Sequence, residues 1–233
     1  MAAGSHSGSM IELTAADGHR LGAYAAIPAG APKGGVVILQ EIFGVNGHIR
    51  HLCEEYAADG YVAVAPALFD RAERNLVLSY TDFSRAREIV AGLTPAMLTA
   101  DMQAAIDETV KRGAKTGMVV PIGYCFGGAM AFLAACQNAG ICGAVDYYGT
   151  RTIQYCETMT PQVPVMYHFG TLDKSIPPEA ITKIKAAHPV GTFFLYEGAD
   201  HGFSCDERPQ FYNAAATKLA KDRTLRFLID VMQ

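Results

Sequence analysis

The chain has 233 residues, 50% of them hydrophobic and 18% charged, with a formal net charge of −4. This composition excludes a disordered chain, and the mild acidity leaves no basic footprint for nucleic acid or anionic lipid. A chain of this length buries roughly 70% of its unfolded surface, so it needs no disulfide or metal staple to fold.

Residues 1–9 are rich in Gly, Ser and His and lack both the basic and the apolar region of a signal peptide. They read as an expression-vector remnant, with Met10 as the native start and residues 10–233 as one domain. Residues 11–14 and 21–27 flank Asp17-Gly18, a hairpin signal that predicts an antiparallel start. Buried strands are expected at residues 35–40, 61–65, 118–123, 143–148, 163–168 and 192–196. Most are apolar on both faces, as a parallel sheet covered by helices requires. Helical spacing marks residues 49–59. A second helical face carries Leu98, Met102, Ala105, Ile106, Thr109 and Val110, and further helices are expected at residues 127–136, 179–187 and 212–231. In the last, Leu219, Phe227, Leu228 and Val231 are the expected core-facing side chains. The alternation predicts an α/β fold, a mostly parallel central sheet with helices on both faces.

No charged residue occurs between Thr116 and Val145. Pro121, Gly123, Gly127, Gly128, Asn138, Gly140 and Gly143 interrupt that run, so it reads as a buried strand, a glycine turn and a buried helix, not a membrane span. The six cysteines, Cys53, Cys125, Cys136, Cys142, Cys156 and Cys205, form no Cys-x-x-Cys pair. Reduced thiols in the cytoplasm are expected, with no metal and no cofactor. His48, His51 and Cys53 read as surface imidazoles and a buried thiol.

The strand at 118–123 runs into Gly123-Tyr124-Cys125-Phe126-Gly127-Gly128, with an apolar helix immediately after. Small residues two before and two after the central residue let strand and helix backbones pass closely and force the central side chain out above the sheet. The helix N-terminus beneath supplies free N–H groups and a partial positive charge. A thiol suits that position, because a helix N-terminus and a neighbouring imidazolium both favour the thiolate. Phe126 N–H is placed to bind the oxyanion of a tetrahedral intermediate. After Cys125, Asp173 and His201 each follow an expected strand, in the chain order nucleophile, acid, histidine. Asp146 is an alternative acid and His168 a rival base, although both fall inside strand patterns. Glu41 directly follows the strand at 35–40 and needs a partner if buried. It is expected either close to Cys125 or, more plainly, capping the helix near His48 or pairing with an arginine. Ile42, in the same loop, is the second expected oxyanion donor.

Four motifs together resemble the dienelactone hydrolase family of α/β-hydrolases: Gln-Glu-Ile-Phe-Gly at 40–44, Gly-Tyr-Cys-Phe-Gly-Gly at 123–128, His-Phe-Gly-x-x-Asp at 168–173 and Gly-x-x-His-Gly-Phe at 198–203. The likeness extends from about Leu21 to the C-terminus. It implies the α/β-hydrolase fold and the opening of enol-lactones such as carboxymethylenebutenolide to maleylacetate, in aromatic breakdown. It also implies a Cys125, Asp173, His201 triad, oxyanion donors Ile42 and Phe126, and Glu41 as a modulator of the resting thiol. Arginines would hold a substrate carboxylate: Arg85 or Arg87 on a helix near residues 80–92, and Arg208. A broad carboxylesterase or thioesterase on the same residues is the alternative enzyme reading. A non-catalytic carboxylate binder or thiol redox sensor is the reading from another class. The expected partner is a small ester or lactone, with no nucleic acid and no membrane.

Overall fold

A computed structural model describes residues 8–233. Two antiparallel strands, β1 (Ser9–Thr14) and β2 (Arg20–Ala26), are joined through a turn in which Gly18 takes φ +84°. Residues 1–7 of the expected remnant lie outside the described residues. Its last residue, Ser9, pairs with Ala25, so the strand starts before Met10.

Six further strands complete one sheet: β3 (Gly35–Leu39), β4 (Val62–Pro66), β5 (Val119–Tyr124), β6 (Ala144–Tyr147), β7 (Val165–Gly170) and β8 (Thr192–Tyr196). The order is β1-β2-β4-β3-β5-β6-β7-β8, parallel from β4 to β8. The chain steps from β3 outward to β4 and then returns to place β5 on the other side of β3. Such a switch point opens a crevice at the carboxyl ends of the two strands. Leu39 is in register with Gly123, so the loops after β3 and β5 begin side by side. This is the mixed α/β architecture expected from the strand and helix alternation.

The helices are α1 (Gly47–Ala58), α2 (Phe83–Gly92), α3 (Pro95–Lys111), α4 (Phe126–Gln137), α5 (Thr152–Cys156), α6 (Pro178–Ala187) and α7 (Ala214–Val231). Their starts follow local chemistry. Asn46 accepts from Ile49 N–H at 3.1 Å, and Thr94 caps α3 ahead of Pro95 at its first turn. The charge-free run resolves into β5, α4 and the first residues of β6, with α4 buried from Phe126 to Ala135. Among the described residues no single helix is long and apolar enough to cross a membrane.

Three expectations need correction. His48 is not a surface imidazole: it is buried on α1, with Nδ1 3.3 Å from Asp206 Oδ1. β8 is not a buried strand: it pairs only with β7, and Thr192 and Leu195 are exposed. An apolar run looks the same at the edge of a sheet as in its middle. α7 begins at Ala214, two residues later than expected, because Asn213 is its cap and accepts from Ala216 N–H at 3.0 Å. Its packed face carries Ala216, Ala220, Thr224, Phe227 and Leu228, and Leu219 is 45% exposed. Small residues let this helix lie close to the sheet, a contact that a search for large apolar residues overlooks.

Beneath α7 lies a polar layer. His168 on β7 is fully buried, with Nδ1 2.7 Å from Tyr196 Oη and Nε2 3.1 Å from Thr224 Oγ1. Thr224 Oγ1 in turn meets Tyr147 Oη at 2.8 Å. Burial, assisted by the Arg223 charge, pushes the His168 imidazole down to about 3. Asp146 on β6 accepts from Gly149 N–H at 2.7 Å and Thr152 Oγ1–H at 2.5 Å, yet burial pushes its carboxyl up to about 7. Both alternatives to Asp173 and His201 are therefore committed to the interior.

Phe227→Ala is expected to cost about 3–5 kcal/mol, and Leu219→Ala less than about 0.5 kcal/mol. Urea midpoints at constant slope measure both, and equal losses would contradict the helix orientation. A pH prediction follows from the two buried titrating groups. The depressed His168 contributes stability that is present above its unfolded value of 6.5 and lost as pH falls towards about 3. The raised Asp146 contributes stability that is present below its unfolded value of 3.8 and lost as pH rises through about 7. Between those limits they offset each other. Asp146→Asn removes one side of the balance. Its unfolding free energy is expected to fall by about 2 kcal/mol more than that of the parent between about pH 7 and pH 5. A parallel pH dependence in the two proteins would refute this.

Candidate active site

Cys125 stands between β5 and α4 with φ +55° and ψ −114°, a conformation that side-chain-bearing residues seldom adopt. Two glycines make the bend possible. A methyl group on Gly123 would run into the Gly127 carbonyl, and one on Gly127 would run into the Leu39 carbonyl of β3. The bend is tied to the next strand by Cys125 N–H donating to the Tyr147 carbonyl at 2.9 Å. No side chain caps α4, so its first N–H groups are left free at the elbow.

His201 reaches the thiol from a loop after β8. Its Nε2 lies 3.1 Å from Cys125 Sγ, and its Nδ1 lies 2.8 Å from Asp173 Oδ2. The Asp173 side chain is fully buried, and its other oxygen accepts from Ser175 N–H at 2.8 Å. Asp173 thus presents one fixed acceptor to the imidazole. Burial works against charging His201. The charge of the adjacent Cys125 sulfur and the hydrogen bonds from Asp173 and Cys125 overcome it and hold the imidazole well above its ordinary value. Tyr148 packs edge-on to the same ring at 5.2 Å, itself at φ +42° and fully buried. Cys125, Asp173 and His201, 76 residues apart at the extremes of the thiol–imidazole contact, meet in one chain of contacts.

The cavity above Cys125 has a volume of about 340 Å³. Its wall includes Ile42, Phe43, Phe126, Phe83, Val90 and His201, so both expected oxyanion residues border the thiol. Neither Ile42 N–H nor Phe126 N–H has a backbone acceptor among the described residues. The chemistry open to this arrangement is nucleophilic attack by sulfur, with nearby donors for a developing oxyanion.

Glu41 is 1% exposed, and both of its carboxylate oxygens lack a hydrogen-bond partner among the described residues. The plainer roles do not apply: Asn46 caps α1, and no arginine pairs with Glu41. A buried carboxylate left without partners is costly, and such groups gather at functional sites. Its charge is felt at Tyr148 and at Cys205, whose thiol is pushed up to about 12, first by burial and then by Glu41.

The arginines separate. Arg87 on α2 borders the cavity, whereas Arg85 pairs with Glu73 at 2.6 Å and lines a different depression with Arg71 and Glu88. The two residues of helical offset between them turn the side chain by about 200°, to the opposite face of α2, and that excludes Arg85 from the site. Arg208 is 7% exposed and stacks 4.4 Å from the Phe211 ring centroid, with Phe43 and Tyr80 on other sides. Sequence reasoning missed Arg151, Thr150 and Ser175, which also line the cavity. A signal was available, since Thr150 and Arg151 lie just past the carboxyl end of β6, where ligands of open α/β sheets collect.

Known proteins resemble this chain over nearly its whole length. The model of the dienelactone hydrolase family matches residues 21–232. The carboxymethylenebutenolidase of Pseudomonas putida is 35% identical over 227 residues, covering 94% of each chain. That of Pseudomonas knackmussii shows the same 35% identity and 94% coverage of each chain. A solved structure from Klebsiella pneumoniae, provisionally assigned as a dienelactone hydrolase, has a TM-score of 0.84 at 28% identity and covers 95% of this chain and 99% of its own. A dienelactone hydrolase-like promiscuous phosphotriesterase from metagenomic libraries shares the fold, with a TM-score of 0.80 at 20% identity, covering 97% of this chain and 99% of its own.

Gly123→Ala tests the elbow directly. The added methyl group has only backbone to move against, so a loss of about 3 kcal/mol or more is expected, or failure to fold. Ala at this site with an unchanged melting temperature would mean that the bend is not as tight as described.

Proposed function

The chain belongs to the dienelactone hydrolase family, and we propose that it opens enol-lactones and activated esters with Cys125 as the nucleophile. The observation that carries this reading is the unbroken contact from Asp173 Oδ2 through His201 to Cys125 Sγ, at 2.8 and 3.1 Å. The named activity of the Pseudomonas relatives, carboxymethylenebutenolidase, points to the same substrate class.

Sulfur attacks the carbonyl carbon, and the carbonyl electron pair moves to oxygen. Ile42 and Phe126 N–H groups bind that oxyanion, each such donor contributing about 3–4 kcal/mol to the barrier reduction. Collapse of the tetrahedral adduct expels the ring or ester oxygen, which takes the proton that His201 drew from the thiol, and leaves an acyl thioester on Cys125 beside a neutral imidazole. His201 then takes a proton from water as the water oxygen attacks the thioester. Sulfur leaves, and the acid product departs. Asp173 holds Nδ1–H throughout, so that Nε2 always faces the thiol. Because a thiolate departs readily, the first adduct partitions back to substrate unless the competing oxygen also departs readily. An enolate or phenolate does, and an alkoxide does poorly. The cysteine therefore selects enol-lactones and aryl esters over amides and alkyl esters.

Glu41 lies buried without partners beside this loop and acts on the resting thiol, favouring its proton's release when substrate enters. Arg87 and Arg208 hold a substrate carboxylate. The six unpaired cysteines fit a reducing compartment, and the cytoplasm is the proposed location.

Cys125→Ala is expected to lower kcat/KM for dienelactone and for an aryl ester by about 10⁴-fold or more while preserving the melting transition. Turnover that survives the substitution would assign the chemistry to another group.

A further inference from the structure

We propose that the cavity beside Cys125 is built for a dianion, with one carboxylate bound on each side of the scissile carbonyl. This rests on the hydrolase reading above and narrows its substrate class.

The first observation is charge. Arg87, Arg151 and Arg208 all line the cavity, and no Asp or Glu lines it. Elsewhere in the molecule Arg20, Arg71, Arg74, Arg85 and Arg112 each pair with a carboxylate, whereas Arg50 and Arg223 lie over aromatic rings. None of the three cavity arginines makes such a pair among the described residues. Glu41 and Arg208 both approach within 4 Å of the point where a methyl group on Gly202 would stand, yet they form no ion pair among the described residues. The chain as a whole is acidic, at −4, so this local excess of positive charge does not follow from composition. Three guanidinium groups around about 340 Å³ repel one another, and their common neutraliser is a bound anion. One carboxylate is satisfied by one or two guanidinium forks, and the third is left for a second anionic group.

The second observation is placement. The sheet order is β4-β3-β5-β6-β7, with Cys125 after the middle strand. Arg87 lies on α2, in the segment that follows β4. Arg208 stacks against Phe43, which follows β3, and Tyr80, which follows β4. Those two cations therefore stand on the β3–β4 side of the thiol. Arg151 and Thr150 follow β6, and Ser175 follows β7, on the opposite side. The carbonyl attacked by Cys125 is thus flanked by a two-arginine clamp and by a separate site of one arginine and two hydroxyl groups. A carboxylate on the acyl portion and another on the departing portion of the substrate occupy these two places.

A square of four ortho-nitrophenyl esters tests the proposal. The acyl group is butyryl or hemiglutaryl, and the leaving phenol has or lacks a para carboxylate, giving a neutral, two monoanionic and one dianionic substrate. At low ionic strength the dianion is expected to exceed each monoanion in kcat/KM by about tenfold or more, an advantage that shrinks as salt rises. Arg151→Gln is expected to collapse one of the two carboxylate gains to within about threefold, and Arg87→Gln the other, with Arg151→Lys retaining most of its gain. Each gain is a ratio within one enzyme, so a general loss of activity cancels. A dianion no better than the better monoanion, or an Arg151→Gln protein with both ratios unchanged, overturns the dianion proposal. Calorimetry with inert ether analogues of the same four esters on the Cys125→Ala protein reads the clamp without turnover. Tenfold weaker binding of the dianionic ether on Arg151→Gln upholds it even if ester turnover survives Cys125→Ala, and that survival would sink only the hydrolase reading.

Discussion

The site depends on one steric constraint, the passage of β5 into α4 through a residue at φ +55°. With Gly127 pressed against Leu39 of β3 and Gly123 pressed against Gly127, strand and helix backbones approach as closely as atoms allow. The strain is held by burial on every side, since β5 and most of α4 are inaccessible to water. Backbone strain of this size, on the order of 1–3 kcal/mol, persists only where the surroundings overdetermine it. Its consequence is direction. The sulfur projects from the sheet towards the crevice at the switch point, with free helix N–H groups beside it.

Around that sulfur the molecule arranges charge in layers. The sulfur and Asp173 favour the charged form of the His201 imidazole against the cost of burial. The Glu41 carboxylate and the Tyr148 hydroxyl are both buried without hydrogen-bond partners among the described residues, and Tyr148 packs edge-on to the His201 ring. Positive side chains line the cavity in front. A neutral substrate would leave most of this field unused. A charged one would be drawn in, oriented and brought to the thiol in a single step.

Below the candidate site, His168, Tyr196, Thr224 and Tyr147 join β6, β7 and β8 to α7 by hydrogen bonds. These strands carry the loops of Arg151, Asp173 and His201. The network fixes the relative height of three strand ends, which sets where the acid and base emerge. Asp146 does the same for the turn after β6 by accepting from Gly149 N–H and Thr152 Oγ1–H. The polar residues that most resemble spare catalytic groups thus serve to position the real candidates.

The linear sequence by itself determined the strand and helix alternation, the glycine-flanked elbow at Cys125 and the chain order of Cys125, Asp173 and His201. Those features are local, set by residue size, apolar runs and backbone sterics within a few positions. Tertiary structure alone decided which of Arg85 and Arg87 faces the cavity, because that turns on helix rotation against its neighbours. It also decided that β8 is an edge, that Leu219 points outward, that Glu41 has no partner and that Arg151 joins the site. Each of these depends on what packs against a residue from distant parts of the chain, and no local pattern of side chains records that.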